Sequence, residues 1–227
     1  MVRHITGSTE YFTHGTPPRV LLLSGMHGDE YESGELLHEW IDSTQTRLPP
    51  FMYIPMVSPS AVAAHTRRNA YGNDINRKFT DDSTDPEARI TMDIVRKHHF
   101  DICIDLHEDP DRTMAFYLYD SDHMTPDELS CYREVVGKTS ARLYTGIDDM
   151  DDELLGCHIE KGYYSFRPDV IGEDTDIAGF SSKWMIQSDI TTRFFTLEIP
   201  GKADRTLKRS VIGQVVPYIL ETFGRIS

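Results

Sequence analysis

The sequence predicts an α/β fold, with a mixed, mostly parallel sheet flanked by helices. Three observations carry that expectation: short apolar runs that stop at glycine or polar residues, helical periodicity between them, and connections long enough for crossovers. At 227 residues, 39% of them hydrophobic, the chain fits one large domain, and residues 1–227 are read as a single unit that needs no disulfides to form a core.

Arg19 to Ser24 is an apolar run ended by Gly25, as expected of a strand buried on both faces. From Asp29 the pattern turns helical, with Leu36, Leu37, Trp40 and Ile41 at three- and four-residue spacing, until the polar stretch before Pro49 and Pro50. Phe51 to Val57 reads as the second strand. Asp85 and Pro86 supply an N-cap and a first-turn proline for a helix carrying Ile90, Ile94 and Val95. Asp101 to Leu106 and Ala115 to Tyr119 read as the third and fourth strands, and Thr125 to Glu128 has capping-box spacing. Residues 144 to 192 show little periodicity and read as long loops of the kind that carry function. Arg193 to Ile199 reads as the last buried strand. Leu207, Val211, Val215, Ile219 and Leu220 mark a terminal helix that Pro217 is expected to kink.

Thirty-seven acidic residues against 23 Lys and Arg give a formal charge of −14, which repels a phosphate backbone and argues against nucleic acid as a partner. The densest acidic stretch, Asp148 to Glu153, lacks the alternation and glycine of a calcium loop and reads as a solvated loop. No apolar stretch reaches the roughly 18 residues of a membrane span, and the N-terminus has no leader-like apolar core. The expectation is a cytoplasmic protein without membrane contact. Cys103, Cys131 and Cys157 are odd in number and widely spaced, and read as reduced thiols.

In Gly25-Met26-His27-Gly28-Asp29-Glu30 an imidazole and a carboxylate stand three positions apart where a strand gives way to a helix, within reach of one cation. Asp101 to His107 delivers a second imidazole at the end of a buried strand, where ligand sites gather in parallel sheets. Two His and a Glu with a fourth position left for water are the ligand set of a catalytic zinc, one Zn²⁺ per chain. Asp105, two residues before His107, shares its strand face and is either its partner or a core residue. Glu108 should point the other way.

The run GMHGDE resembles the GxHGxE motif of zinc carboxypeptidases and of the aspartoacylase and succinylglutamate desuccinylase group. Ser58-Pro59-Ser60-Ala61, Thr66-Arg67-Arg68-Asn69 and Asn73-Asp74-Ile75-Asn76-Arg77-Lys78-Phe79 resemble the NP-x-x, R-x-N and DLNRxF segments of the same superfamily, in the same order. Phe194 to Pro200 is similar to its TLE-x-P strand, so the resemblance spans residues 20 to 200. It implies a zinc-carboxypeptidase-like (phosphorylase/hydrolase-like) fold and a zinc-dependent hydrolase that cleaves an amide beside a carboxylate-bearing residue.

By that resemblance Glu198 is the general base for zinc-bound water, and Arg67, with Arg68 as its neighbouring alternative, is the oxyanion cation. Asn76 and Arg77 dock the substrate carboxylate, and Asp74 orients His27. Tyr163 and Tyr164 are both available as a substrate tyrosine. Lys183, where the resemblance places side-chain recognition, suits an acidic substrate side chain.

The implied substrate is a peptide or an N-acyl amino acid. The TLE-x-P form, and the 29 residues after Glu198 where aspartoacylase-like members continue into a β-rich domain, favour a metallocarboxypeptidase. Ser58 to Ala61, which departs from the peptidases' NPDG, keeps an N-acyl amino acid deacylase in play. A zinc-binding module without turnover is the third reading, which the presence of every implied site residue opposes.

Overall fold

A computed structural model describes residues 1–148, 156–166 and 179–224. Strands β1 (Val2–Thr6) and β2 (Thr9–His14) form an antiparallel hairpin, followed by β3 (Val20–Leu23), α1 (Tyr31–Thr44), β4 (Phe51–Ile54), α2 (Pro59–Ala64) and α3 (Pro86–Val95). Then come β5 (Phe100–Asp109), β6 (Ala115–Asp120), α4 (Pro126–Gly137), the short β7 (Arg142–Leu143), β8 (Gly146–Ile147), β9 (His158–Ile159) and β10 (Tyr163–Ser165), and finally α5 (Ser181–Gln187), β11 (Thr191–Pro200) and α6 (Arg205–Phe223).

The main sheet runs β1-β2-β4-β3-β5-β11-β6-β10, with β7 beside β6. The pairs β3–β4, β3–β5, β5–β11 and β6–β10 are parallel, whereas β2–β4 and β6–β11 are antiparallel, which gives the mixed, mostly parallel sheet of the sequence reading. One apolar cluster packs α1, α4 and α6 on one face, through residues such as Leu37, Tyr132 and Val215. A second packs α3 and α5 on the other, through Met92 and Trp184. Among the described residues no helix is long and apolar enough to cross a membrane.

The caps form as the sequence predicts. Asp85 accepts from the backbone N–H groups of Glu87 and Ala88, and Thr125 and Glu128 make a reciprocal capping box. Three expectations are corrected, and the terminal helix forms as expected. The second strand ends at Ile54, because the chain turns there and Val57 N–H donates to Ser24 O, outside the ladder. Strand β5 continues to Asp109, because β11 pairs with it along that whole length, so His107 lies within the strand. Helix α6 runs unbroken through Pro217, since buried Val211, Val215, Val216 and Ile219 anchor both sides of it. The described part of 144–192 holds the β8–β9 pair, β10 and α5. Of the acidic stretch, only Asp148 falls within the described residues.

One buried ion pair ties β11 to the end of β6. Arg193 donates from Nε and Nη2 to the two oxygens of Asp120 at 2.9 and 2.6 Å, and Asp120 also accepts from Tyr163 Oη and from Asp122 N–H. The Asp120 side chain is fully buried. Arg193→Met strands that carboxylate and is expected to lower the unfolding free energy by about 3–5 kcal/mol, measured by urea denaturation.

Candidate metal centre

The loop between β3 and α1 is shaped by two glycines. Gly25 takes φ +63°, and Gly28 lies so close to α2 that an added Cβ would stand 1.8 Å from the Ala61 carbonyl oxygen. Gly28 N–H donates to Thr66 O at 2.9 Å, which fastens the loop next to Arg67. Gly28→Ala must therefore push two backbones apart, and a loss of about 3 kcal/mol is expected in the same denaturation assay, at the upper end of ordinary overpacking.

His27, Glu30 and His107 are all buried, and one donor atom from each lies within 4.8 Å of the others. His27 Nδ1 faces Glu30 Oε1 at 2.7 Å and His107 Nδ1 faces Glu30 Oε2 at 2.9 Å. The remaining ring nitrogens turn to carboxylates: His27 Nε2 to Asp74 Oδ1 at 3.0 Å and His107 Nε2 to Asp105 Oδ2 at 3.2 Å. Two imidazoles and a carboxylate, each imidazole steadied by a carboxylate on its far side, are a donor set that fits a divalent metal ion.

Burial opposes charge on both imidazoles, but Glu30 and Asp74 hold His27 above its ordinary pKa, and Asp105 and Glu30 hold His107 well above it. Burial would raise Glu30, but the two imidazoles pull it far below the usual carboxylate range. Asp74 moves the same way: burial is outweighed by its bond to His27 and by the charges of His27, Arg67 and Arg77.

Of the other residues singled out by the sequence, Glu198, Arg67, Asn76, Arg77, Tyr164 and Lys183 line the same cavity of about 630 Å³. The β5–β11 register sets Glu198 directly beside His107. Burial raises the Glu198 carboxyl to about 8; Glu30, Asp109 and Asp105 add to the rise and His107 opposes it.

Arg67 turns inward, with Nη2 donating to Asp74 Oδ2 at 2.9 Å and Nη1 3.3 Å from His27 Nδ1, whereas Arg68 reaches the Gly72 carbonyl on the exposed side. Asn76 Oδ1 accepts from Ser181 N–H at 3.0 Å, and the Arg77 guanidinium stacks on the Phe180 ring at 3.8 Å. Of the two tyrosines, Tyr164 lines the cavity, while Tyr163 is engaged with Asp120 and Met124.

Strand alternation could have settled Asp105 and found Asp109, since both share the His107 face of β5. Asp109 accepts from Tyr117 Oη at 2.8 Å and Arg112 Nε at 3.1 Å, and both Asp109 and Tyr117 line the cavity. Tyr119, which donates to Asp148, lines it too. These tyrosines gave no sequence signal, because only the pairing of β6 with β11 brings them beside the site.

No curated protein matches this chain. Among solved structures it is similar to a candidate metallopeptidase from Shewanella denitrificans, with 18% identity and a TM-score of 0.76 over 99% of this chain and 85% of the other. A metallo-carboxypeptidase from Burkholderia cenocepacia gives 18% identity and a TM-score of 0.63 over 95% and 62%. The tripeptide-bound cell shape determinant Csd4 from Helicobacter pylori gives 16% and 0.62 over 96% and 56%. At these identities the likeness establishes the carboxypeptidase-like fold. The sequence itself matches the succinylglutamate desuccinylase/aspartoacylase catalytic domain over residues 16–139, more than half its length. The chain therefore belongs to the succinylglutamate desuccinylase/aspartoacylase catalytic-domain family.

Proposed function

We propose that residues 1–227 form one zinc-dependent catalytic unit that hydrolyses an amide bond next to a carboxylate-bearing residue. The observation that carries this reading is the convergence of the His27, Glu30 and His107 donor atoms on one point, with Glu198 beside them and Arg67, Asn76 and Arg77 around the same cavity.

His27, Glu30 and His107 hold the ion, which when bound supplies Lewis-acid polarisation and a water acidic enough to attack at neutral pH. Glu198 takes the proton of the attacking water and passes it to the leaving nitrogen, a role suited to a carboxyl whose surroundings raise its proton affinity. Arg67, steadied by Asp74, is the cation that meets charge building on the carbonyl oxygen. Asn76 and Arg77, pinned by Ser181 and Phe180, bind the substrate carboxylate. Asp74 and Asp105 keep the two imidazoles oriented.

Carboxypeptidase action is the first reading, supported by the TLE-x-P form of the Glu198 strand. N-acyl amino acid deacylation is the second, favoured by the family to which residues 16–139 belong. One panel separates them: peptides varied at the C-terminal residue, N-acyl amino acids, and both series with the carboxylate amidated. Turnover confined to one series identifies the branch. Amidation is expected to cost at least about tenfold in kcat/KM by removing a charge-assisted pair, and equal rates for amidated substrates would contradict carboxylate docking.

A further inference from the structure

Lys208 lies on α6, far along the chain from His27, Glu30 and His107, yet it is only 1% exposed. Its Nζ donates to Glu32 Oε2 on α1 and to Glu108 Oε2 on β5, both at 2.6 Å. A buried ammonium is costly unless paired and hydrogen-bonded, and here the pairing joins three elements.

Glu108 follows His107 directly and faces the opposite side of the sheet, as strand alternation predicts. Its Oε1 accepts the Ser33 backbone N–H at 2.6 Å, a first-turn donor of α1 that the helix itself cannot satisfy. Its own backbone N–H donates to Glu30 Oε2 at 3.2 Å, the same oxygen that faces His107 Nδ1. Ser33 Oγ in turn donates to the Glu30 carbonyl at 2.9 Å. Glu108 thus fastens the part of β5 that bears His107 to the start of α1, next to Glu30. Lys208 is the counter-charge that lets Glu32 and Glu108 sit together behind Glu30.

We infer that Lys208 is a positioning residue for the metal centre, holding His107 and Glu30 in register through Glu108 and so setting the affinity for the ion. This rests on the metal reading proposed above. The same helix supplies a control: Arg209 also pairs with α1, through Glu39, but at the exposed rim and away from Glu32 and Glu108.

The test is a zinc titration of metal-stripped protein against a chelating indicator, with far-UV circular dichroism of every variant. Lys208→Met and Glu108→Gln are each expected to weaken zinc binding by about 10- to 100-fold, the range for partners one step removed from a ligand. The double variant should be no weaker than the worse single, because both act through one link. Arg209→Gln should stay within about twofold of the parent, as exposed pairs contribute little.

Parent-like affinity in Lys208→Met overturns the inference, and should that variant not fold, parent-like affinity in Glu108→Gln does so. An equal loss in Arg209→Gln overturns it too, because general docking of α6 would then be the cause. A parent protein that binds no zinc refutes the metal reading itself, and this inference with it.

Discussion

Glu198→Gln is expected to bind metal as the parent does and to turn over its best substrate about 10²- to 10⁴-fold more slowly, the usual worth of a positioned proton carrier. Gln keeps the volume and one acceptor oxygen, so the cavity and the β5–β11 register should survive, but it cannot take up a proton. The setting of Glu198 explains the size of the effect. Burial and the neighbouring carboxylates Glu30, Asp109 and Asp105 raise its proton affinity, and strand pairing holds it beside His107. Steady-state kinetics on the variant should show the loss in kcat with KM little changed. A loss smaller than about tenfold would move the proton-transfer role to another group.

His107→Ala should have the larger effect on the metal itself. It removes one of the three ligands proposed for the ion and leaves the buried Glu30 with a single imidazole. Its loss of affinity should exceed the roughly 10- to 100-fold expected of Asp105→Asn or Asp74→Asn, which only loosen the far side of each imidazole. Zinc titration of the three variants side by side checks this order. A ligand variant that binds zinc as well as the two carboxamide variants would mean that His107 does not coordinate the ion.

The parts of the fold legible in the sequence are those whose cause is local. The apolar run of β3, the Asp85 cap and the Thr125–Glu128 box need only their own neighbours to form. The hairpin of β1 and β2 was not legible, because its strands are polar and partly exposed: Val2 and Ile5 are 61% and 62% exposed, and pairing with β4, not burial of an apolar run, holds β2 in the sheet. Helix α5 is seven residues long and is fixed by Trp184 and Met185 packing under the sheet, too few periodic positions to read. Helix α6 continues through Pro217, as its apolar spacing predicted, because packing on both sides outweighs one missing hydrogen bond.

The site divides in the same way. His27 and Glu30 share a short segment, and strand alternation ties Asp105 to His107. The choice of Arg67 over Arg68 and of Tyr164 over Tyr163 follows from where distant segments lie against one another. Thr66 is clamped to Gly28 and turns Arg67 inward, and Asp120 draws Tyr163 away from the cavity. Lys208 is the extreme case, since nothing near it in sequence hints that it reaches the strand bearing His107.

Metal content is the most direct test of the account. The parent, His27→Ala and His107→Ala should be purified without added metal, and each then analysed for elements before and after zinc is supplied. About one zinc per chain in the parent and none retained by either variant is the expected result for a three-ligand site. A parent that holds no metal even after zinc is supplied would contradict the hydrolase reading and leave only the shared fold.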